Sequence, residues 1–273
     1  MQETHGRYNI RVLERAIALL SLLSDGQTKR LPELAKSIEL SESSTYRLLS
    51  TLTSHDYVAH DKRRGGYRLG LACLELARAY QAGSDMRQVA LPELEALRDE
   101  TSETVHLGLL ADMEVVYLEK LPGLHAIGIM SSQVGGRSPS YCTGLGKALL
   151  AYLDPETVRS HFDVRRLHRF TPNTITNLGE LIRHLSRIQQ QGYALDMEEH
   201  EPEVRCVAAP VFDPNGEVVA AVSVSGPAGR IKSLMDEQDL VGRTVRASQG
   251  ISRDLGYIEA RAAGVSRKEA TLG

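Results

Sequence analysis

Ser43, Arg47, Ser50 and Ser54 recur at helical spacing within the run "SESSTYRLLSTLTS", residues 41–54. Solvated helix faces usually carry Glu, Lys and Ala, which propagate helices well. A stripe of small hydroxyls with one guanidinium has a different use. Hydroxyls let a helix backbone approach a duplex closely and bond phosphates or base edges, and an arginine pairs with a guanine edge or a phosphate. Lys62, Arg63 and Arg64 form a second cationic group in "DKRRGG". The duplex-contacting candidates are therefore Ser43, Ser44, Thr45, Tyr46, Arg47, Lys62, Arg63 and Arg64. A merely solvated face and loop is the competing reading.

A second set of reactive or polar residues lies further along. Gly144 and Gly146 flank Leu145 at the entry to an apolar helix, where free backbone N–H groups and the helix dipole favour a carboxylate. Ser223 and Ser225 alternate with Val222 and Val224, so both hydroxyls face one side of a strand. Cys206 opens a neighbouring strand and Asp196 ends another. Polar groups converging inside an apolar shell describe a small-molecule site. Close packing at Gly144 and ordinary buried roles for the serines and Cys206 are the dull alternatives.

Two other chemistries compete. Cys142, Asp196, His200 and Cys206 offer thiolate, imidazole and carboxylate, a donor set that suits zinc, at a spacing that matches no recognised metal signature. Cys206 or Cys142 with a histidine would suit a thiol enzyme or a thiol sensor. The nine histidines fall in no recognisable acid/base motif, and the chain holds no Walker loop or Rossmann glycine run. No cofactor is expected.

The elements that position these residues follow from periodicity. Val12, Leu13, Ala16, Ile17, Leu20 and Leu23 mark one side of a helix ended by Gly26. Pro32 suits the first turn of a second helix with Leu31, Leu34, Ala35 and Ile38 on its apolar side. Ser41 caps a third, whose apolar stripe is Thr45, Leu48, Leu49 and Leu52. Two short helices joined by a tight turn make a helix-turn-helix. Residues 57–69 read as a hairpin, with Gly65 and Gly66 permitting positive φ at its basic tip. Three helices and this hairpin make a winged helix. A helical connector follows, with Leu71, Leu74 and Ala77/Arg78 on one side, interrupted at Gly83-Ser84.

The remainder mixes types. Residues 103–121 form a strand pair turning at Asp112, and "HAIGIMSS" is a third strand. "GLGKALLAYL" is helical, Asp154 caps "ETVRSHF", and Asn177 caps a helix stopped by Gly192. "YALDM", "RCVAAPVF" and "EVVAAVSVSG" are strands, the last two joined by "DPNG". Residues 235–256 close the chain as one helix. The expected fold is α+β.

Bulk properties agree. The chain has 273 residues, 42% hydrophobic and 25% charged, an ordinary globular composition for one or two domains. Its net charge of −3 hides an asymmetry: residues 1–70 carry a net +3 and the rest a net −6. The first segment suits a polyanion better than the second. Three widely spaced cysteines suit a reducing cytoplasm rather than a disulfide framework. No signal peptide or membrane span is expected.

The chain resembles the IclR family of bacterial transcriptional regulators, from about Val12 to Gly256. The resemblance rests on "VLERAIALLSLL", "LPELAKSIELSESSTYRLLSTL", "YRLGLACLELA", "YCTGLGKALLAYL" and "GYALDMEEHEPEVRCVAAPVFDPNGEVVAAVSVSGP". One departure concerns the third helix. The family often has a lysine before its Ser-Thr pair, where this chain has Glu42-Ser43-Ser44-Thr45, so operator preference differs. The resemblance implies an N-terminal winged helix-turn-helix domain at 8–70, a helical linker at 71–84, and a C-terminal GAF-like α/β effector-binding domain at 85–261. It implies effector contacts at Ile127, Met130, Ser138, Gly144, Leu145, Asp196, Val204, Cys206, Ser223 and Ser225. The implied partners are a double-stranded DNA operator, a small carboxylate effector and further copies of the chain, as a homodimer or dimer of dimers. The implied function is effector-responsive control of a catabolic operon, as a repressor. A thiol- or metal-responsive regulator on the same scaffold is the alternative, followed by a Cys-dependent enzyme.

Overall fold

A computed structural model describes residues 10–82, 85–124, 130–162 and 167–258. The chain divides into two compact units, residues 1–84 and 85–273.

The first unit contains α1 (Arg11–Leu22), α2 (Leu31–Ser37), α3 (Glu42–Ser54), the antiparallel pair β1 (Val58–Asp61) and β2 (Gly66–Leu69), and α4 (Leu71–Ala82). Leu19, Leu23, Leu34, Leu49, Val58 and Tyr67 form its core. The packed face of α1 belongs to its C-terminal half. Leu19 and Leu23 are fully buried, whereas Val12, Leu13 and Ile17, expected on the packed side, are more than half exposed. Ser41 caps α3 by accepting from the Ser44 amide at 3.3 Å.

The hairpin also departs in detail from the expected pattern. Gly65 adopts φ +68°, but Gly66 does not need a positive φ. Its requirement is space: a Cβ there would stand 2.7 Å from the Lys29 carbonyl oxygen, where Lys29 bridges to Tyr67 beside β2.

The second unit is built on a six-stranded antiparallel sheet, ordered β5-β4-β3-β8-β7-β6. Its strands are β3 (Thr104–Ala111), β4 (Glu114–Leu121), β5 (Arg137–Pro139), β6 (Ala194–Met197), β7 (Val204–Phe212) and β8 (Val218–Pro227). Helices α5 (Asp85–Thr101), α9 (Ala228–Glu237) and α10 (Leu240–Asp254) cover one face, burying Leu94, Val207, Val222, Val224 and Ile251 among others. Helices α6 (Gly144–Leu150), α7 (Pro155–His161) and α8 (Leu178–Gln191) build the core on the other face with Tyr141, Leu181, Cys206 and Ala208.

Two further expectations are corrected. Residues 130–132 of "HAIGIMSS" are not a strand, and 125–129 lie outside the described residues. The short third strand falls later, at β5. The closing helix is two helices, because Asp239 takes a left-handed φ of 50° and caps α10 through the Gly242 amide. Helix α5, which carries Pro92 inside it, had no sequence expectation.

Candidate functional site

The first unit presents one surface of interest. Thr45 and Leu49 point into the core while Ser43, Tyr46, Arg47, Ser50 and Ser54 are exposed along α3. Thr45 leaves the candidate contact set: it is 0% exposed, and its hydroxyl donates to the Ser41 carbonyl at 3.0 Å. Ser44 is exposed but its hydroxyl joins the cap, 3.0 Å from Ser41 Oγ. Arg47 and Lys62 have no ion-pair partner among the described residues. At the hairpin tip Asp61 Oδ1 accepts from the Arg63 and Arg64 amides at 2.9 and 3.1 Å. Those amides, chiefly that of Arg64, hold the Asp61 carboxyl below its ordinary range. The turn fixes its own backbone and leaves the side chains of Lys62, Arg63 and Arg64 outside.

The second unit forms a cavity between α6 and the sheet. Strand register builds its floor. Asp196 on β6 pairs with Cys206 on β7, which pairs with Ser225 on β8. Ser223, two residues on and facing the same side, pairs with His106 on β3. The alternating Val222 and Val224 face the opposite core. The roof is the start of α6: Thr143 caps it by accepting from the Gly146 amide at 3.3 Å, and Gly144 and Leu145 line the cavity. Gly144 is forced by packing, since a Cβ would stand 2.6 Å from Cys206 Sγ; at Gly146 it would stand 2.2 Å from the Ser140 backbone. All seven residues of α6 are buried. The space open to the centre of a water molecule is ≈ 50 Å³, which suits a compact ligand.

Met130, Gly144, Leu145, Asp196, Val204, Cys206, Ser223 and Ser225 all line this cavity. Ser138 stands one step behind, its hydroxyl 3.2 Å from the Tyr117 hydroxyl that donates to it. Ile127 lies outside the described residues. The walls also include His106, Tyr117, Ser132, Thr143 and Glu201, which sequence reasoning did not assign, and His200, which it named only as a candidate zinc donor. A visible signal was a polar or amphipathic residue inside an apolar strand run, as with His106 in "TVHLGLLA" and Tyr117 in "EVVYLEKL".

Burial sets the protonation of the walls. His106 Nε2 lies 2.9 Å from Ser132 Oγ and its Nδ1 3.5 Å from Ser223 Oγ. Burial, with Lys120 nearby, pushes its imidazole down to about 3, so it is neutral at pH 7. Burial likewise raises the Tyr117 hydroxyl and the Cys206 thiol to about 12 and Asp196 to about 7. A protonated Cys206 is a poor nucleophile and a poor oxidant sensor. Cys142 is fully buried, and burial raises its thiol too. No three His, Cys, Asp or Glu side chains among the described residues form a group able to hold a metal ion, so the suggested zinc set does not assemble.

A helix-turn-helix with a basic wing, joined to a sheet domain with an internal polar cavity, defines a DNA-binding transcriptional regulator with an effector domain. Comparison with known proteins gives the family. Residues 12–62 match the IclR helix-turn-helix domain and residues 78–253 the bacterial transcriptional regulator IclR C-terminal domain. The chain is 35% identical over 252 residues to the HTH-type transcriptional regulator XynR of Escherichia coli, covering 91% of this chain and 98% of that one. It is 35% identical over 237 residues to the HTH-type transcriptional repressor AllR of Salmonella typhi, covering 86% and 87%. An IclR homologue from Microbacterium hydrocarbonoxydans, solved with 4-hydroxybenzoate, superposes with a TM-score of 0.75 at 26% identity, covering 89% of this chain and 98% of that one. The chain belongs to the IclR family of bacterial transcriptional regulators.

Proposed function

We propose that this regulator is a cytoplasmic repressor of a catabolic operon that senses a small organic acid in the cavity beneath α6. The observation that carries the reading is the convergence of His106, Asp196, Cys206, Ser223 and Ser225 on one pocket. Named relatives include a repressor, and one related structure holds an aromatic carboxylate. The small volume favours a compact acid over a large one. The cavity groups act as a recognition set: hydroxyls and imidazole for oxygen atoms, Leu145 and Val204 for the carbon skeleton.

DNA is contacted through Ser43, Tyr46 and Arg47 on α3 and through Lys62, Arg63 and Arg64 on the wing. The protein works as a homodimer or dimer of dimers, which presents two recognition helices to a pseudo-palindromic site. Exposed apolar side chains in the first unit support this: Leu71, Leu74 and Tyr80 on α4, and Leu13 and Ile17 on α1, are each more than half exposed in the single chain. Effector binding shifts the balance between two arrangements of the dimer that differ in DNA affinity. A thermal-shift screen of small carboxylates, followed by gel shifts on the neighbouring promoter, tests the reading. One acid should raise the melting temperature and release DNA; a panel without any such acid would count against it.

A further inference from the structure

The cavity poses an electrostatic problem for the acid proposed above. Two carboxyl groups, Asp196 and Glu201, line it, and among the described residues no lysine or arginine does. The nearby bases are engaged. Lys147 on α6 pairs with Glu199 behind the wall, and Lys120 on β4 donates to the Ser132 carbonyl at 2.5 Å. Glu201 accepts from both the amide and the hydroxyl of Ser131 and stands 3.9 Å from His200 Nδ1. Asp196 is placed differently. It is 5% exposed and, among the described residues, receives one hydrogen bond, from the Glu199 amide to Oδ1 at 2.7 Å. A charged Asp196 would repel an entering anion in a space that holds little water. A protonated one would donate to it, as a neutral acid in an apolar site can.

We propose that Asp196 binds a proton as a small carboxylate enters the cavity and donates that hydrogen to the ligand, so that effector sensing is coupled to pH. The inference rests on the organic-acid reading above. The proton comes from solvent, and no covalent bond to the ligand forms. The groups facing Asp196 leave it as the one positioned for this role. Cys206 beside it on β7 and Tyr117 from β4 are held neutral, each raised to about 12 chiefly by burial. Cys142, before α6, is raised as well, and burial lowers His200 from the loop after β6. Lys147 from α6 and the loop acids Glu199 and Glu201 already hold the contacts described. Burial, opposed by Lys147 and by the Glu199 amide, keeps the Asp196 carboxyl at about 7, so the proton is gained at little cost near neutrality.

The test uses the full-length protein and three probes: pyruvate, glycolate and gluconate. Calorimetry at about pH 6 and pH 8 should show the best-binding probe weakening by about tenfold at the higher pH. Buffers of unlike ionisation heat should count roughly one proton taken up per ligand at pH 8. Asp196→Asn, shown folded by its melting curve, should bind with equal affinity at both pH values, because the amide keeps the donor and cannot ionise. Binding by the wild type that ignores pH, proton uptake near zero, an Asn variant that keeps the slope, or a folded Asn variant that does not bind would each overturn the coupling. Failure of all three probes at both pH values would instead overturn the organic-acid reading, and the coupling with it.

Discussion

Lys147 on α6 and Glu199 just past β6 form an ion pair shut away from water, with side chains 0% and 7% exposed. The pair ties the helix that roofs the cavity to the loop that brings His200 and Glu201 to its wall. It is incomplete, because Glu199 Oε2 is buried without a hydrogen-bond partner among the described residues. Burying both charges costs desolvation that their attraction roughly offsets, so the pair orders the site more than it stabilises the fold.

Removing the lysine alone strands a buried acid. Lys147→Met should cost about 3–5 kcal/mol in denaturant unfolding. Adding Glu199→Gln should recover much of that loss, because the stranded charge is then gone. A double variant no more stable than Lys147→Met would show that the pair is not the source of the effect.

The roof tolerates no extra atoms. Gly144→Ala should destabilise the second unit by about 1–3 kcal/mol, with Gly146→Ala worse because it meets backbone rather than a side chain. Trimming the opposing sulfur, in Gly144→Ala with Cys206→Ala, should restore part of the loss. Equal stability of the single and double variants would mean that α6 shifts bodily instead.

On the DNA face, Arg47→Ala should weaken operator binding by about 1–3 kcal/mol if Arg47 reads a base, or lower the salt slope by about one if it meets a phosphate. Melting-temperature shifts with effector should be unchanged. Gel shifts at matched salt that match wild type would remove Arg47 from the interface.

Leu74 is 68% exposed on α4, where a second copy is proposed to cover it. Leu74→Glu should lower the apparent mass in sedimentation and weaken operator binding at least tenfold, roughly, through lost half-site linkage. An unchanged sedimentation profile would place the dimer contact elsewhere.

Acid stability carries a readable sign. His106 and His184 are both held below the ordinary histidine value, to about 3 and about 4, chiefly by burial. Below about pH 6.5 the unfolded chain binds their protons and the folded chain does not, so stability falls as pH drops toward those values. Asp196 acts oppositely: its raised value of about 7 contributes stability at low pH that is lost as pH rises from about 4 to 7. His106→Gln should therefore flatten the loss between about pH 6.5 and 4.5 in chemical denaturation. A variant with the wild-type slope would show that His106 is protonated in the folded state.

Much of this architecture is legible in the sequence wherever a period or a cap is strong. Ser41, Asp154 and Asn177 each cap the helix expected of them, and the Val222–Ser225 alternation sorts core from cavity. Legibility fails where long-range packing decides. Val12, Leu13 and Ile17 obey a helical period, yet they stay exposed while the core takes Leu19 and Leu23 from the later turns of α1. Asp239 breaks a continuous helical pattern by adopting a conformation its residue type permits but does not announce. His106 becomes a cavity residue through strand pairing with Ser223, about a hundred residues away, which no local pattern encodes, whereas Tyr117 pairs with Gly108 across the local β3–β4 hairpin.

Cys206 has two neighbours to satisfy at once, Gly144 across the roof and whatever occupies the chamber below. Enlarging it to suit a new guest would press on the helix above, so divergence in diet is channelled to wall positions outside the helices and strands, such as Met130, Ser132 and Glu201.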